Sequence, residues 1–149
     1  MSPERAGSVP AFPLVDLCFS GKYTKAEVKK MLVGKGGSVG HLGTNDFRDV
    51  VAGVNAGKPG YEEFLKAFCF SVAKYIGAMA TVVAGKVDAI ILTGGIAHGQ
   101  SITKPIAEMV QFIAPVEIYP GENELESLAE NGYGVLAGEF EVKTYSNKF

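Results

Sequence analysis

Four short stretches carry residue types and spacings suited to chemistry. In Ile90-Ile91-Leu92-Thr93-Gly94-Gly95-Ile96-Ala97-His98 an apolar run delivers the chain to two glycines. With no Cβ on either, a flat ring or a sugar can lie directly on the backbone. The stretch lacks the G-x-G-x-x-G of a dinucleotide site and the Gly-Lys-Ser/Thr of a P-loop, so alone it also fits a plain tight turn. In Gly36-Gly37-Ser38-Val39-Gly40-His41-Leu42-Gly43-Thr44-Asn45-Asp46-Phe47-Arg48 a glycine-rich segment runs into a helix start. Asp46 can accept from an amine or a ribose hydroxyl and Arg48 can stack on a base. The same two residues also suit a helix-dipole acid and a solvated surface charge. Tyr119-Pro120-Gly121-Glu122-Asn123-Glu124-Leu125 sets carboxylates beyond a second apolar run. There they can hold Mg²⁺ beside phosphates, or serve as ordinary first-turn helix acids. Pro3-Glu4-Arg5-Ala6-Gly7 offers one arginine near the start of the chain. His98 follows the double glycine and can touch a bound ligand, but no Ser or Cys is placed to make it a triad base; His41 reads as structural.

The rest of the composition narrows the choice. The 149 residues suit one domain, and 14 Lys plus Arg against 16 Asp plus Glu leave a net charge of −2. A slightly acidic chain with two arginines is a poor reader of nucleic-acid backbones. With 47% apolar and 20% charged residues it can bury a core. No charge-free apolar run reaches the 18 or so residues of a membrane span, and the first residues show no secretory signal. Both facts favour a cytoplasmic protein without a membrane partner. Cys18 and Cys69 match no metal spacing and read as buried, reduced thiols. Nineteen glycines, about 13% against roughly 7% in average proteins, cluster at positions 34–43 and 94–99.

These stretches must be held by elements the pattern announces. Phe12 to Phe19 reads as a short helix. Thr24-Lys25-Ala26-Glu27 is a capping box opening a helix to about Leu32, which Gly34 stops. Positions 34–43 read as a loop, after which Thr44 or Asn45 caps another helix. Between 61 and 84, apolar residues recur at helical spacing through Tyr61, Phe64, Leu65, Phe68, Val72, Ile76 and Val83, which predicts one long core helix. Val87 to Thr93 reads as a buried, parallel strand. A helix follows from about Ser101, then a strand at Val116–Tyr119, then a helix capped by Asn123. The residues from 138 to 149 carry no clear assignment. Helix and strand alternate, which is α/β organisation, and such sheets bind ligands beyond the carboxyl ends of their strands.

Taken in order, the segments Leu17-Cys18-Phe19-Ser20-Gly21-Lys22-Tyr23-Thr24, Leu32-Val33-Gly34-Lys35-Gly36-Gly37, Leu42-Gly43-Thr44-Asn45-Asp46, Val87 to His98 and Tyr119 to Glu124 closely resemble the C-terminal portion of the butyrate kinases. These belong to the acetate kinase family, within the superfamily of acetate and sugar kinases, heat-shock chaperone ATPases and actin. The resemblance spans nearly the whole chain. It implies a ribonuclease-H-like (actin-like ATPase) α/β domain, with a mixed sheet flanked by helices, over residues 1–149. It also implies ATP- and Mg²⁺-dependent phosphoryl transfer to a short-chain carboxylate, butyrate plus ATP giving butyryl phosphate, an acyl phosphate, plus ADP.

By position, the resemblance puts Gly94, Gly95, Ile96 and Ala97 at the nucleoside. It puts Asp46 and Arg48 near the adenine, with Gly43 and Thr44 in the same cofactor-binding stretch. Glu124 falls in the Mg²⁺ and phosphate environment, and Arg5 is the candidate catalytic arginine facing the transferred phosphoryl group. Relatives are more than twice as long, and their amino-terminal half holds the phosphate-binding hairpin and the acyl pocket. Met1 falls where they continue without a break. The chain is therefore expected to be a truncated or split product, inactive alone, that associates as a homodimer. A non-catalytic nucleotide-binding or assembly module is the competing reading.

Overall fold

The computed structural model describes residues 1–144; the last part of the unassigned tail lies outside the described residues. The order is α1 (Ala11–Phe19), α2 (Lys25–Leu32), α3 (Gly37–Leu42), α4 (Phe47–Asn55), α5 (Tyr61–Val82), β1 (Ile90–Gly94), a 3₁₀ turn at Gly95–His98, α6 (Gln100–Val110), β2 (Val116–Pro120) and α7 (Glu124–Leu136).

The capping box is present. Glu27 N donates to Thr24 Oγ1 at 3.3 Å, and Thr24 N donates back to the Glu27 carboxylate at 2.7 Å. Those two bonds satisfy donors that the start of α2 would leave unpaired. Beyond α2 the chain turns extended, and Val33 bridges antiparallel to Arg5.

Two expectations are corrected between 34 and 47. Part of the glycine-rich stretch is helix α3 rather than loop. The N-cap of α4 is Asp46, two residues after Thr44 and one after Asn45, and its side chain accepts from Arg48 N.

Among the described residues the sheet is a pair of parallel strands, from Ile90 opposite Val116 to Gly94 opposite Pro120. Parallel strands need a crossover, and α6 supplies it. β1 begins at Ile90, later than the apolar run at Val87 suggested.

The core lies where α5 packs against α6 and α4. Val50, Cys69, Ile102 and Val110 are buried to 2% exposure or less. Phe47 on α4 meets Phe68 on α5 at 4.6 Å between ring centroids. α5 is, at 22 residues, long and apolar enough by length and composition to cross a membrane, although Lys66 and Lys74 interrupt its apolar run. Its Phe64, Leu65, Phe68, Cys69 and Ala73 instead form the buried spine of the domain.

Candidate nucleotide site

The predicted residues fall into two groups. The first stands where β1 and β2 end. Gly94 N donates to Gly121 O at 3.2 Å and Gly121 N returns to Gly94 O at 3.1 Å, closing the strand pair. Gly94 (φ +87°) and Gly121 (φ +98°) both sit in backbone conformations that side chains disfavour. Gly95, Ile96 and Ala97 form the turn that leaves this closure. Ala97 faces the core, while Gly95 is exposed. A Cβ placed on Gly95 would have no atom within 4 Å. The bare peptide therefore borders open space. Beneath it, Phe68, Ile90, Leu92, Ile96 and Ile102 line an apolar cleft of about 400 Å³.

Glu124 opens α7, three residues beyond Gly121, so it shares this strand end. Asn123 holds the cap position of α7 without a side-chain bond to it. Among the described residues no three His, Cys, Asp or Glu groups converge as a metal cluster. Mg²⁺ commonly keeps several waters and one or two carboxylates beside substrate phosphates, and one carboxylate at Glu124 fits that habit.

The second group lies along the amino-terminal strip. Glu4 O accepts from Gly34 N at 2.8 Å and from Gly36 N at 3.2 Å, and Pro3 O accepts from Val39 N at 3.0 Å. Ser38 is fully buried, and its hydroxyl donates to Pro3 O at 3.2 Å. A Cβ on Gly37 would stand 1.7 Å from Ser2 O. Gly36 and Gly37 thus admit the chain's own backbone, and the N–H groups of Gly34 and Gly36 are taken up by Glu4 O rather than left free for an anion. Gly43 ends α3 in the left-handed conformation at φ +78°. The Thr44 hydroxyl donates to Asp49 at 2.8 Å and accepts from Asp46 N at 3.1 Å.

Asp46 and Arg48 close on each other, with Arg48 Nε at 2.9 and 3.0 Å and Nη2 at 2.5 Å from the carboxylate. The guanidinium hydrogen bonds hold the Asp46 carboxyl below its usual range, and Asp46 in turn raises Arg48. The Arg48 side chain is 90% exposed, so one face is free to stack. Arg5 is exposed on the same strip, next to Glu4, whose carboxylate accepts from Asn45 Nδ2 at 2.9 Å. Arg5 and the Gly43–Arg48 stretch are therefore neighbours. Their connection to the strand ends runs through Phe47 and Phe68, since Phe68 lines the cleft beneath Ile96.

Two features escaped the sequence reading. One is Gly121 as the partner of Gly94, which the Pro120-Gly121 punctuation after a strand could have signalled. The other is Glu4, whose reach to Asn45 has no local signature.

An α/β chain whose paired parallel strands end in glycine turns, with an acid opening the next helix, has the layout in which open α/β sheets place ligands beyond their strand ends. The sequence profile of the Acetokinase family matches residues 4–133, and the chain belongs to that family. It is 48% identical over 144 residues to a probable butyrate kinase of Bacteroides thetaiotaomicron, covering 97% of this chain and 41% of that protein. It is 50% identical to butyrate kinase 2 of Clostridium acetobutylicum, covering 97% of this chain and 40% of that one. The chain thus spans about two fifths of the length of the curated relatives it matches. In three dimensions it is similar to acetate kinase from Porphyromonas gingivalis, with a TM-score of 0.77, 20% identity and coverage of 91% of this chain and 40% of that one. It is also similar to acetate kinase from Entamoeba histolytica, with a TM-score of 0.73, 17% identity and coverage of 89% and 42%. These structures share its fold.

Proposed function

We propose that this chain is the nucleotide-binding part of an ATP-dependent short-chain carboxylate kinase, which converts butyrate and ATP to butyryl phosphate and ADP. The observation that carries the reading is the open backbone at Gly95, just past the closed strand pair, in a chain of the acetokinase family. The names of its relatives support the carboxylate substrate.

Each residue then has a task. Gly94 and Gly95 leave room for the nucleoside, with Ile96 and Ala97 shaping its floor. Arg48, steadied by Asp46, stacks on the base from the other side, and Gly43 and Thr44 fix the backbone that carries the pair. Glu124 holds Mg²⁺, which when bound neutralises charge on the phosphate oxygens. Arg5 faces the transferred phosphoryl group, where a guanidinium offsets charge developing in the transition state. Phosphoryl transfer depends on positioning from both walls of a cleft, and this chain supplies one wall. A homodimer and a cytoplasmic location belong to the same proposal.

The test mixes this chain with the amino-terminal remainder of the Bacteroides thetaiotaomicron relative and measures butyryl phosphate. The chain alone gives none, and the mixture gives product. Turnover by the chain alone at the rate of an intact relative contradicts the account. No product from the mixture, with ADP still bound, shifts the reading to a binding module without catalysis.

A further inference from the structure

One more residue can be assigned within this site, on the strength of the nucleotide reading above. The 3₁₀ turn at Gly95–His98 carries the chain back over the Gly94–Gly121 closure. A Cβ on Gly121 would stand 3.5 Å from Nε2 of His98. The imidazole therefore spans from the turn after β1 to the turn after β2, across the ends of both strands, and the residue stays exposed.

The charges around it give that placement meaning. Within 94–100 and 120–126 the ionisable side chains are Glu122, Glu124, Glu126 and His98. No lysine or arginine occurs from 87 to 103, and after Lys104 none occurs before Lys143. Lys104 itself sits on α6 beside Glu108, 3.9 Å away. The backbone N–H groups of Gly94 and Gly121 each donate to the other's carbonyl oxygen and are already engaged. Within these two segments, an anion arriving at the strand ends meets three carboxylates, and His98 is the ionisable side chain that carries a hydrogen-bond donor.

We propose that His98 contacts the phosphate chain of the bound nucleotide. With the nucleoside resting on Gly95, the phosphates run towards Glu124 and pass the imidazole, whose N–H donates to a phosphate oxygen. A charge-assisted bond of this kind is among the stronger single contacts a side chain makes.

The chain has two histidines, which makes the test direct. His41 rests against Phe64, 5.5 Å between ring centroids, and serves as the internal reference. Imidazole NMR resonances are followed while ADP with Mg²⁺, and separately adenosine, is titrated into the chain. ADP shifts the His98 ring signals and the Gly95 amide and leaves His41 in place. Adenosine shifts the Gly95 amide and leaves His98 unmoved. His98→Ala weakens ADP binding by about tenfold or more with adenosine unaffected, and His98→Gln, which keeps a donor, restores part of the loss. If ADP shifts the Gly95 amide while His98 stays still, or if His98→Ala binds ADP as tightly as wild type, this assignment is overturned. If no nucleotide shifts any resonance at the strand ends, the nucleotide reading falls and takes the assignment with it.

Discussion

Gly94 and Gly95 are adjacent and serve different ends. Gly94 holds a positive φ and pairs with Gly121, so any side chain there strains the backbone before it meets a ligand. Gly95 has neither constraint, and the space beside it is empty. From the sequence both glycines read alike, because a double glycine reports only that Cβ atoms are missing. The cysteines are free thiols as the sequence suggests, but the expectation that both are buried is corrected at Cys18. Cys18 is exposed; Cys69 is buried, its thiol donates to Ile102 O at 3.7 Å, and burial raises its pKa. Thiolate is the reactive form. Titration with a thiol reagent therefore consumes one equivalent quickly, lost in Cys18→Ser, and the second only on unfolding. Two fast equivalents in the native chain would contradict the packing of α5 on α6.

Elements with a local cause were readable in advance. Thr24 and Glu27 announce α2, and the apolar period announces α5 almost to its ends. The stretch from 34 to 47 was not readable, because its glycines answer to the strip at Ser2–Glu4, which is distant in sequence. Asp46 caps α4 in place of its neighbours because the turn after Gly43 takes up the Thr44 hydroxyl. The start of α2 makes a quantitative prediction. Thr24→Ala costs about 1 kcal/mol, as loss of an N-cap does. Bonds from the Thr24 backbone and hydroxyl hold the Glu27 carboxyl below its ordinary value of 4.5. A lowered folded pKa means stability that is full above the unfolded value and lost as pH falls through the folded one. Denaturation across pH will accordingly show wild type losing its advantage over Glu27→Gln under acid conditions. An advantage that grows on acidification would reverse the assignment.

At the scale of the molecule, the apolar surface left uncovered stands out. Phe12 and Phe19 on α1 are each 86% exposed, and Leu125 and Leu136 on α7 are 84% and 85% exposed. Surfaces of this kind mark contact with other protein, and relatives more than twice as long have further chain to place there. Composition could not show this, since apolar residues outside the core look the same in sequence as those within it. Light scattering over a concentration series will find association beyond a monomer. A clean monomer throughout would remove the dimer from the account.

The central claim is that a nucleotide rests on the peptide at Gly95, and calorimetry with ATP and Mg²⁺ tests it most directly. Gly95→Val places its side chain in space the folded chain leaves empty, so the variant keeps its thermal stability and isolates the binding step. The account predicts measurable heat with the wild-type chain and none with a folded Gly95→Val. Equal binding by the two would place the nucleotide elsewhere and contradict it.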